Sequence, residues 1–143
     1  MDVAGILRRK GSSVVTVSPD SPVSDVVALL NTRRIGVVVI SRDGRTVEGI
    51  FSERDVVRGL AQRGAAILAQ PVREVMTSPV RTCRRSDSID RLMSDMTDRR
   101  IRHLPVVEDG TLCGIVSIGD LVKTRLDEIE HEASALREYV GRA

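Results

Sequence analysis

The chain has 143 residues, of which 41% are hydrophobic and 29% charged, and its formal net charge at pH 7 is +2. This length suits one compact globular domain with a hydrophobic core of its own. No run of eighteen apolar residues occurs, so the sequence predicts no membrane span and no membrane partner. The first ten residues lack the charge order of a signal peptide, and we therefore expect a cytoplasmic protein.

The numbers of cysteines and aromatic residues narrow the class of protein further. Cys83 and Cys113 have neither metal-ligand spacing nor a disulfide pattern, so we expect free core thiols in a reducing compartment and no metal site. The chain has one Phe, one Tyr and no Trp, and its small positive charge is spread through many clusters. Nucleic-acid binders usually carry a stronger basic face or a platform of aromatic side chains, so the composition argues against a nucleic-acid partner.

The same pattern occurs twice along the chain. Arg-Arg-Ile at 33–35 recurs at 99–101, and Gly-Ile-Phe-Ser-Glu-Arg-Asp-Val-Val at 49–57 recurs as Gly-Ile-Val-Ser-Ile-Gly-Asp-Leu-Val at 114–122. The offset is 66 residues for the first motif and 65 for the second. A duplicated unit predicts two similar halves packed about a pseudo-two-fold axis, with related clefts where they meet.

The first unit begins with a predicted edge strand and an amphipathic helix. Ser21 is the predicted N-cap of that helix, because Pro22 follows it at the first helical position. Residues 37–40 are apolar without interruption, which predicts a strand buried on both faces. The predicted ranges are 14–17 for the edge strand, 23–30 for the helix, 37–40 and 47–51 for the central strands, and 42–45 for the Asp-Gly turn between them. A second helix begins at Ser52.

The second unit repeats this order, with Asp87 as the predicted N-cap of its first helix. The predicted ranges are 80–83 for the edge strand, 89–96 for the helix, 104–107 and 112–116 for the central strands, and 108–110 for the turn. Its last helix begins at Ser117. The chain thus divides into an N-terminal segment (1–13), a first repeat (14–63), a linker (64–79), a second repeat (80–125) and a C-terminal helical tail (126–143). The linker is predicted to be a loop with one short helical turn at 72–76.

The tail carries apolar residues at alternating intervals of three and four positions: Leu126, Ile129, Ala133, Leu136 and Val140. This spacing is typical of a short coiled-coil seam. It predicts either packing onto the same domain or a contact within a homodimer.

Ser52-x-x-Asp55 and Ser117-x-x-Asp120 are the candidates for chemistry. One interpretation is a helix N-cap of the capping-box type. The other is a binding site, since a helix N-terminus attracts a phosphate, serine can donate to it, and aspartate can accept from ribose hydroxyls. Arg99 and Arg100 are either solvated or part of a cleft that attracts anions.

The motif at 114–122, preceded by Arg-His-Leu-Pro-Val-Val at 102–107, resembles the CBS domain, named from cystathionine β-synthase. The resemblance covers residues 14–123 and occurs twice in order, so the chain resembles a tandem CBS pair. It implies an α/β fold of two β-α-β-β-α repeats about a pseudo-two-fold axis. It also implies two clefts that take adenosyl ligands: AMP first, with ADP, ATP, NADH or S-adenosylmethionine as alternatives.

The resemblance also implies site residues. Adenine would lie near an early threonine of each repeat, Thr16 and Thr82. The backbone that reads the base falls on Ile35, Gly36 and Val37 in the first repeat, and on Arg102, His103, Leu104 and Pro105 in the second. The phosphate hydroxyl falls on Ser52 and Ser117, and the ribose carboxylate on Asp55 and Asp120, with Gly119 inside the second motif. Because the repeats differ, we expect Arg54 to bind phosphate in one cleft and His103 or Arg102 in the other.

These observations predict a regulatory module rather than an enzyme. It would bind an adenine nucleotide and signal to an unknown partner protein or through its assembly state, as a homodimer. The alternatives are a nucleic-acid-binding protein, an enzyme that acts on a nucleotide, and a purely structural oligomer. Alanine at Asp55 or Asp120 is expected to cost about 1–3 kcal/mol in ligand binding and about 0.3–1 kcal/mol in folding. Binding in the His103 cleft is expected to weaken as pH rises through the histidine's titration.

Overall fold

A β-hairpin lies at the centre of each repeat, and helices flank it in the predicted order. The computed structural model describes residues 1–142. The helices are α1 Val3–Lys10, α2 Val23–Arg33, α3 Glu53–Arg63, α4 Ile89–Arg99 and α5 Ile118–Gly141. The strands are β1 Thr16–Val17, β2 Val37–Ile40, β3 Gly49–Ser52, β4 His103–Glu108 and β5 Thr111–Ser117. Short 3₁₀ helices, Gly64–Ala69 and Val72–Glu74, occupy the predicted linker. The predicted α/β fold of two repeats is confirmed.

The two hairpins have matching registers. Strand β2 pairs antiparallel with β3, placing Val37 opposite Ser52, and β4 pairs antiparallel with β5, placing His103 opposite Ser117. Every side chain of β2 is buried, as its apolar sequence predicts. Each serine of a Ser-x-x-Asp motif therefore ends its return strand directly opposite the start of the outgoing strand.

The edge strands of the two repeats differ. In the first repeat β1 runs parallel to β2, and Val39 N donates to Val15 O at 3.1 Å. The residue equivalent to Val39 is Pro105, which has no N–H to donate. The predicted edge strand at 80–83 is consequently reduced to a single parallel bridge between Cys83 and Val106.

Helix α1 was not predicted from the sequence, which assigned residues 1–13 only as a segment. Asp2 caps it by accepting from Gly5 N at 3.1 Å, and Val3, Ile6 and Leu7 lie buried in the core of the second repeat. Val72 of the second 3₁₀ helix and Val75 after it are buried in the core of the first repeat. The segment before the first repeat thus completes the core of the second repeat, and the segment before the second repeat completes the core of the first.

A glycine on each return strand makes room for these segments. A Cβ on Gly114 would lie 2.6 Å from a methyl of Leu7, and one on the equivalent Gly49 would lie 2.5 Å from the sulfur of Met76. Real Cβ atoms do not approach other atoms so closely, so a larger residue at either position would have to displace the side chain of Leu7 or of Met76.

Three local predictions were wrong by one or two residues. Pro22 occupies the N-cap position of α2 in place of Ser21, and Ser88 caps α4 in place of Asp87, whose carboxylate accepts from Arg84 N at 2.8 Å instead. Strand β3 begins at Gly49 rather than at residue 47, because Asp43 organises the loop before it. Backbone N–H groups of the loop hold the pKa of Asp43 at about 2.

The cysteines are free, as expected, and Cys83 is buried while Cys113 is half-buried. Burial raises the pKa of the Cys83 thiol to about 12, so this side chain is a thiol rather than a thiolate at neutral pH.

Helix α5 continues well past the second repeat. Leu126, Leu136 and Val140 are 59%, 63% and 64% exposed, so the interpretation that the tail stripe packs onto its own domain is wrong. Within residues 1–142, each helix is too short or too polar to cross a lipid bilayer.

We expect Gly114→Ala to lower the free energy of unfolding by about 1–3 kcal/mol, because the new methyl pushes Leu7 and with it α1 away from β5. Urea denaturation followed by circular dichroism measures the change. Gly119→Ala is the matched control, because its Cβ would meet only Ser117 Oγ at 3.6 Å and alanine favours a helix. Equal stability of the parent and Gly114→Ala would contradict this packing.

Candidate functional site

A cavity of about 320 Å³ lies where the two repeats meet. We call it the first cleft. Matching backbone bonds position its walls: Glu53 N donates to Gly36 O at 3.1 Å, and its counterpart Ile118 N donates to Arg102 O at 2.8 Å. The first repeat and the segment after it contribute Gly36, Ile50, Ser52, Glu53, Arg54, Asp55, Arg58 and Thr77, and the second repeat contributes Arg99, Arg100, Ile101, Arg102 and His103.

Positive charge dominates the first cleft. Arginines from both repeats line it. Its wall has two acidic side chains, Asp55 and Glu53, and Asp55 is already paired with Arg58. Arg99 and Arg100 lie in this wall and are also exposed to solvent, which agrees with both interpretations, a solvated face and a cleft that attracts anions. Ile50 and Ile101 supply apolar surface. A charged rim with aliphatic walls suits a small anionic molecule that has an apolar part.

Arg100 is held in an unusual backbone conformation. Its φ is 55°, in the left-handed region, and the equivalent Arg34 has φ 53°. Such a conformation costs about 1 kcal/mol for a residue with a Cβ. It ends α4 and turns the carbonyl of Arg100 towards Arg54, whose Nη1 donates to it at 2.9 Å across the cleft. This bond links the two repeats directly.

Asp55 forms the capping box that its motif predicts, and its side chain is only 3% exposed. Oδ2 accepts from Ser52 N at 2.8 Å, while Oδ1 accepts from Thr77 Oγ1 at 2.8 Å and from Arg58. Both carboxylate oxygens are therefore already bonded within the protein. Arg58 and Thr77 were not predicted as site residues, although Arg58 lies one turn along α3 from Asp55, where an ion pair forms readily.

Asp120 forms the same capping box but has a different partner. Oδ2 accepts from Ser117 N at 2.9 Å and from Lys10 Nζ at 2.7 Å, and the side chain is 24% exposed. Burial raises the pKa of Asp120, but the bonds from Lys10 and Ser117 outweigh burial and the net pKa is lowered. We give the name second cleft to the cluster of Lys10, Ser117 and Asp120, because Ser117 and Asp120 are the counterparts of Ser52 and Asp55 in the first cleft.

His103 lies in the same cavity as Arg54. The prediction that these residues serve different clefts is wrong, because His103 begins β4 at the repeat interface and turns towards the first cleft. Burial lowers the pKa of His103, and Lys10 lowers it further. These effects favour the neutral form of the imidazole.

The remaining predicted residues are spread around the interface. Ile35 and Gly36 border an adjoining groove between α2 and α3. Thr16, Val37, Leu104 and Pro105 belong to paired strands, and Gly119 is exposed at the start of α5. Thr82 lies in a separate depression beside Arg84 and Asp87. Among the predicted residues, the first cleft thus brings together Gly36, Ser52, Arg54, Asp55, Arg102 and His103.

Comparisons with known proteins show the family to which the chain belongs. The family model of the CBS domain matches residues 3–62 and 72–127. A mitochondrial CBS domain-containing protein of Arabidopsis thaliana, CBSX3, is 30% identical over 146 residues, covering 96% of this chain and 71% of the relative.

Solved structures show the same fold. A CBS-domain containing protein of Agrobacterium tumefaciens, ATU1752, has a TM-score of 0.83 and 47% identity, covering 87% of this chain and 99% of the other. A CBS domain protein of Pyrobaculum aerophilum, solved as a complex with AMP, has a TM-score of 0.72 and 29% identity, covering 84% of this chain and 89% of the other. With two matched segments and one continuous fold, the chain belongs to the CBS-domain family as a tandem CBS pair.

Proposed function

We propose that this CBS pair is a sensor of adenine nucleotides, with AMP as its first candidate ligand, and that it is not an enzyme. The observation that carries the proposal is the first cleft, where arginines of both repeats surround a Ser-x-x-Asp helix start. The AMP complex of the Pyrobaculum aerophilum relative supports the ligand class. ADP, ATP, NADH and S-adenosylmethionine stay as alternatives within that class.

The chemistry of the first cleft suits each part of such a ligand. Ile50 and Ile101 offer an aliphatic wall for adenine, and the arginines offer charge-assisted hydrogen bonds to phosphate oxygens. Ribose hydroxyls can reach Asp55 only if Arg58 leaves Oδ1, since both oxygens have partners in the protein. An incoming phosphate gives Arg58 an alternative anion, so phosphate binding and access to Asp55 are coupled.

Signalling would follow from the shared walls of the cleft. Arg54 and the Arg100 carbonyl join the repeats, and a phosphate would compete for the Arg54 guanidinium. A ligand can shift the relative position of the repeats only by binding one arrangement more tightly than another. The readout would be a partner protein or a change of assembly, in the cytoplasm.

A nucleic-acid-binding protein is the second candidate function, and the arginine-rich cleft is the observation in its favour. It predicts oligonucleotide binding that weakens steeply with salt and no effect of AMP.

We expect AMP at about one hundred times its dissociation constant to stabilise the fold by roughly 2.7 kcal/mol and to raise the melting midpoint by roughly 5–10 °C. A thermal-shift series with AMP, ADP, ATP, NADH and S-adenosylmethionine measures this, with inorganic phosphate as the control. Recovery of unchanged nucleotide by chromatography checks that the ligand is not consumed. If none of the adenosyl compounds shifts the melting midpoint at millimolar concentration, the proposal is wrong.

The two aspartates are expected to differ when each is replaced by alanine. Asp55→Ala should lower the free energy of unfolding by about 2–3 kcal/mol, which is more than the ~0.3–1 kcal/mol expected from the sequence for a helix cap alone, because Ser52 N, Thr77 and Arg58 all lose a buried acceptor. Asp120→Ala should cost only about 1 kcal/mol, since its ion pair with Lys10 is partly exposed. Urea denaturation tests the folding effect, and calorimetry with AMP tests binding. Equal, small losses of stability would show that Asp55 is no more than a surface helix cap.

The chain also has an apolar face suited to a homodimer. Val57 on α3 and Val122 on α5 are equivalent in the two repeats, and they are 68% and 39% exposed. Leu60 on α3 and Leu126 and Ile129 on α5 are exposed as well, and an apolar groove lies beside Val57. In a two-fold homodimer the same surface patch of both subunits meets at the interface, so we infer that a second copy of the chain covers these apolar side chains.

We expect the parent chain to sediment as a dimer and the double variant Val57→Glu, Val122→Glu to sediment as a monomer, because four buried carboxylates would oppose association. Gln62→Glu is the control, since it adds charge to α3 away from Val57. Truncation before Leu126 separates the contribution of the tail. A parent chain that is monomeric at high micromolar concentration would contradict the homodimer.

A further inference from the structure

The second cleft differs from the first in the group that contacts its carboxylate. In the first cleft the neutral hydroxyl of Thr77 donates to Asp55, and Thr77 pairs with Ile50 on the return strand. In the second cleft the ammonium group of Lys10 donates to Asp120 at 2.7 Å and to the carbonyl of Ile115, the equivalent of Ile50, at 3.1 Å. The exchange of packing segments between repeats therefore places a cation where the first cleft has a hydroxyl.

Both partners of this ion pair retain capacity for a ligand. A lysine ammonium has three N–H donors, and the contacts to Asp120 and Ile115 use two. The bonds from Lys10 and Ser117 both go to Oδ2 of Asp120, and within residues 1–142 Oδ1 accepts no hydrogen bond. Both oxygens of Asp55, in contrast, have partners. Lys10 and Asp120 are 35% and 24% exposed, so a ligand can reach both. An acceptor oxygen of Asp120 thus lies beside the third N–H donor of Lys10.

We propose that Lys10 is a ligand-binding residue of the second cleft and selects nucleotides over nucleosides. Asp120 Oδ1 accepts from the sugar hydroxyls, and the third N–H of Lys10 donates to a phosphate oxygen of the same molecule. The proposal rests on the proposed function, since it assumes that the clefts take adenosyl ligands. It adds that the two clefts have different specificity: the first relies on arginines, and the second relies on a lysine supplied by α1.

Site-resolved titrations of the full chain test this. Backbone amide shifts of Gly119 report the second cleft and those of Arg54 the first, with AMP, adenosine and inorganic phosphate as probes. We expect Lys10→Met to weaken AMP binding at Gly119 by roughly tenfold to a hundredfold, and to leave adenosine binding there within about twofold. Lys10→Arg should recover most of the AMP affinity because it retains the charge. AMP binding reported by Arg54 should stay within about twofold.

Arg9→Met is the matched control. Arg9 also ties α1 to α5, through Thr124 at 2.6 Å and Asp127 at 3.1 Å, but it does not touch Asp120. If Arg9→Met reproduced the loss, the effect would come from the position of α1 and the role of Lys10 would be refuted. Tighter AMP binding by Lys10→Met would also refute it, since Lys10 would then only block Asp120. A parent chain that shows no shift at either amide with AMP or adenosine would instead count against the proposed function itself.

Discussion

The exchange of packing segments between the two repeats is the constraint on which the rest of the structure depends. Leu7, which comes before the first repeat in the sequence, packs on Gly114 of the second repeat. Met76, which comes before the second repeat, packs on Gly49 of the first. Neither hairpin has a complete core without this exchange. Because the ends of the exchanged segments lie against the Ser-x-x-Asp motifs, the same packing that stabilises the fold supplies polar groups to both clefts.

The scaffold is symmetric, but the polar chemistry on it is not. The hairpin registers and the two backbone bonds from the helix starts are the same in both repeats. Asp55, however, is enclosed by Thr77 and Arg58, whereas Asp120 is partly exposed beside Lys10. A duplicated fold can thus hold clefts of different affinity, because only a few side chains outside the repeated motif have to differ.

Features with a local cause could be predicted from the sequence, and features that depend on long-range packing could not. The hairpins, the capping boxes and the buried strand β2 follow from turn residues, spacing and apolar runs over a few positions. The docking of α1 depends on contacts more than one hundred residues apart, as between Lys10 and Asp120. The same limit explains why Arg54 and His103 were assigned to different clefts: each repeat suggests its own site, while the cavity is formed by both.

The first cleft also brings positive charge from both repeats to their interface. Like-charged guanidinium groups face one cavity, and Arg100 is held there in a left-handed conformation that disfavours a side chain. The single bond from Arg54 to the Arg100 carbonyl is the direct side-chain link across this wall. An anion of the kind that we propose would be bound by arginines of both repeats. Its binding energy would therefore appear mainly at the interface between the repeats, where a change in their relative position can be transmitted, rather than within either core.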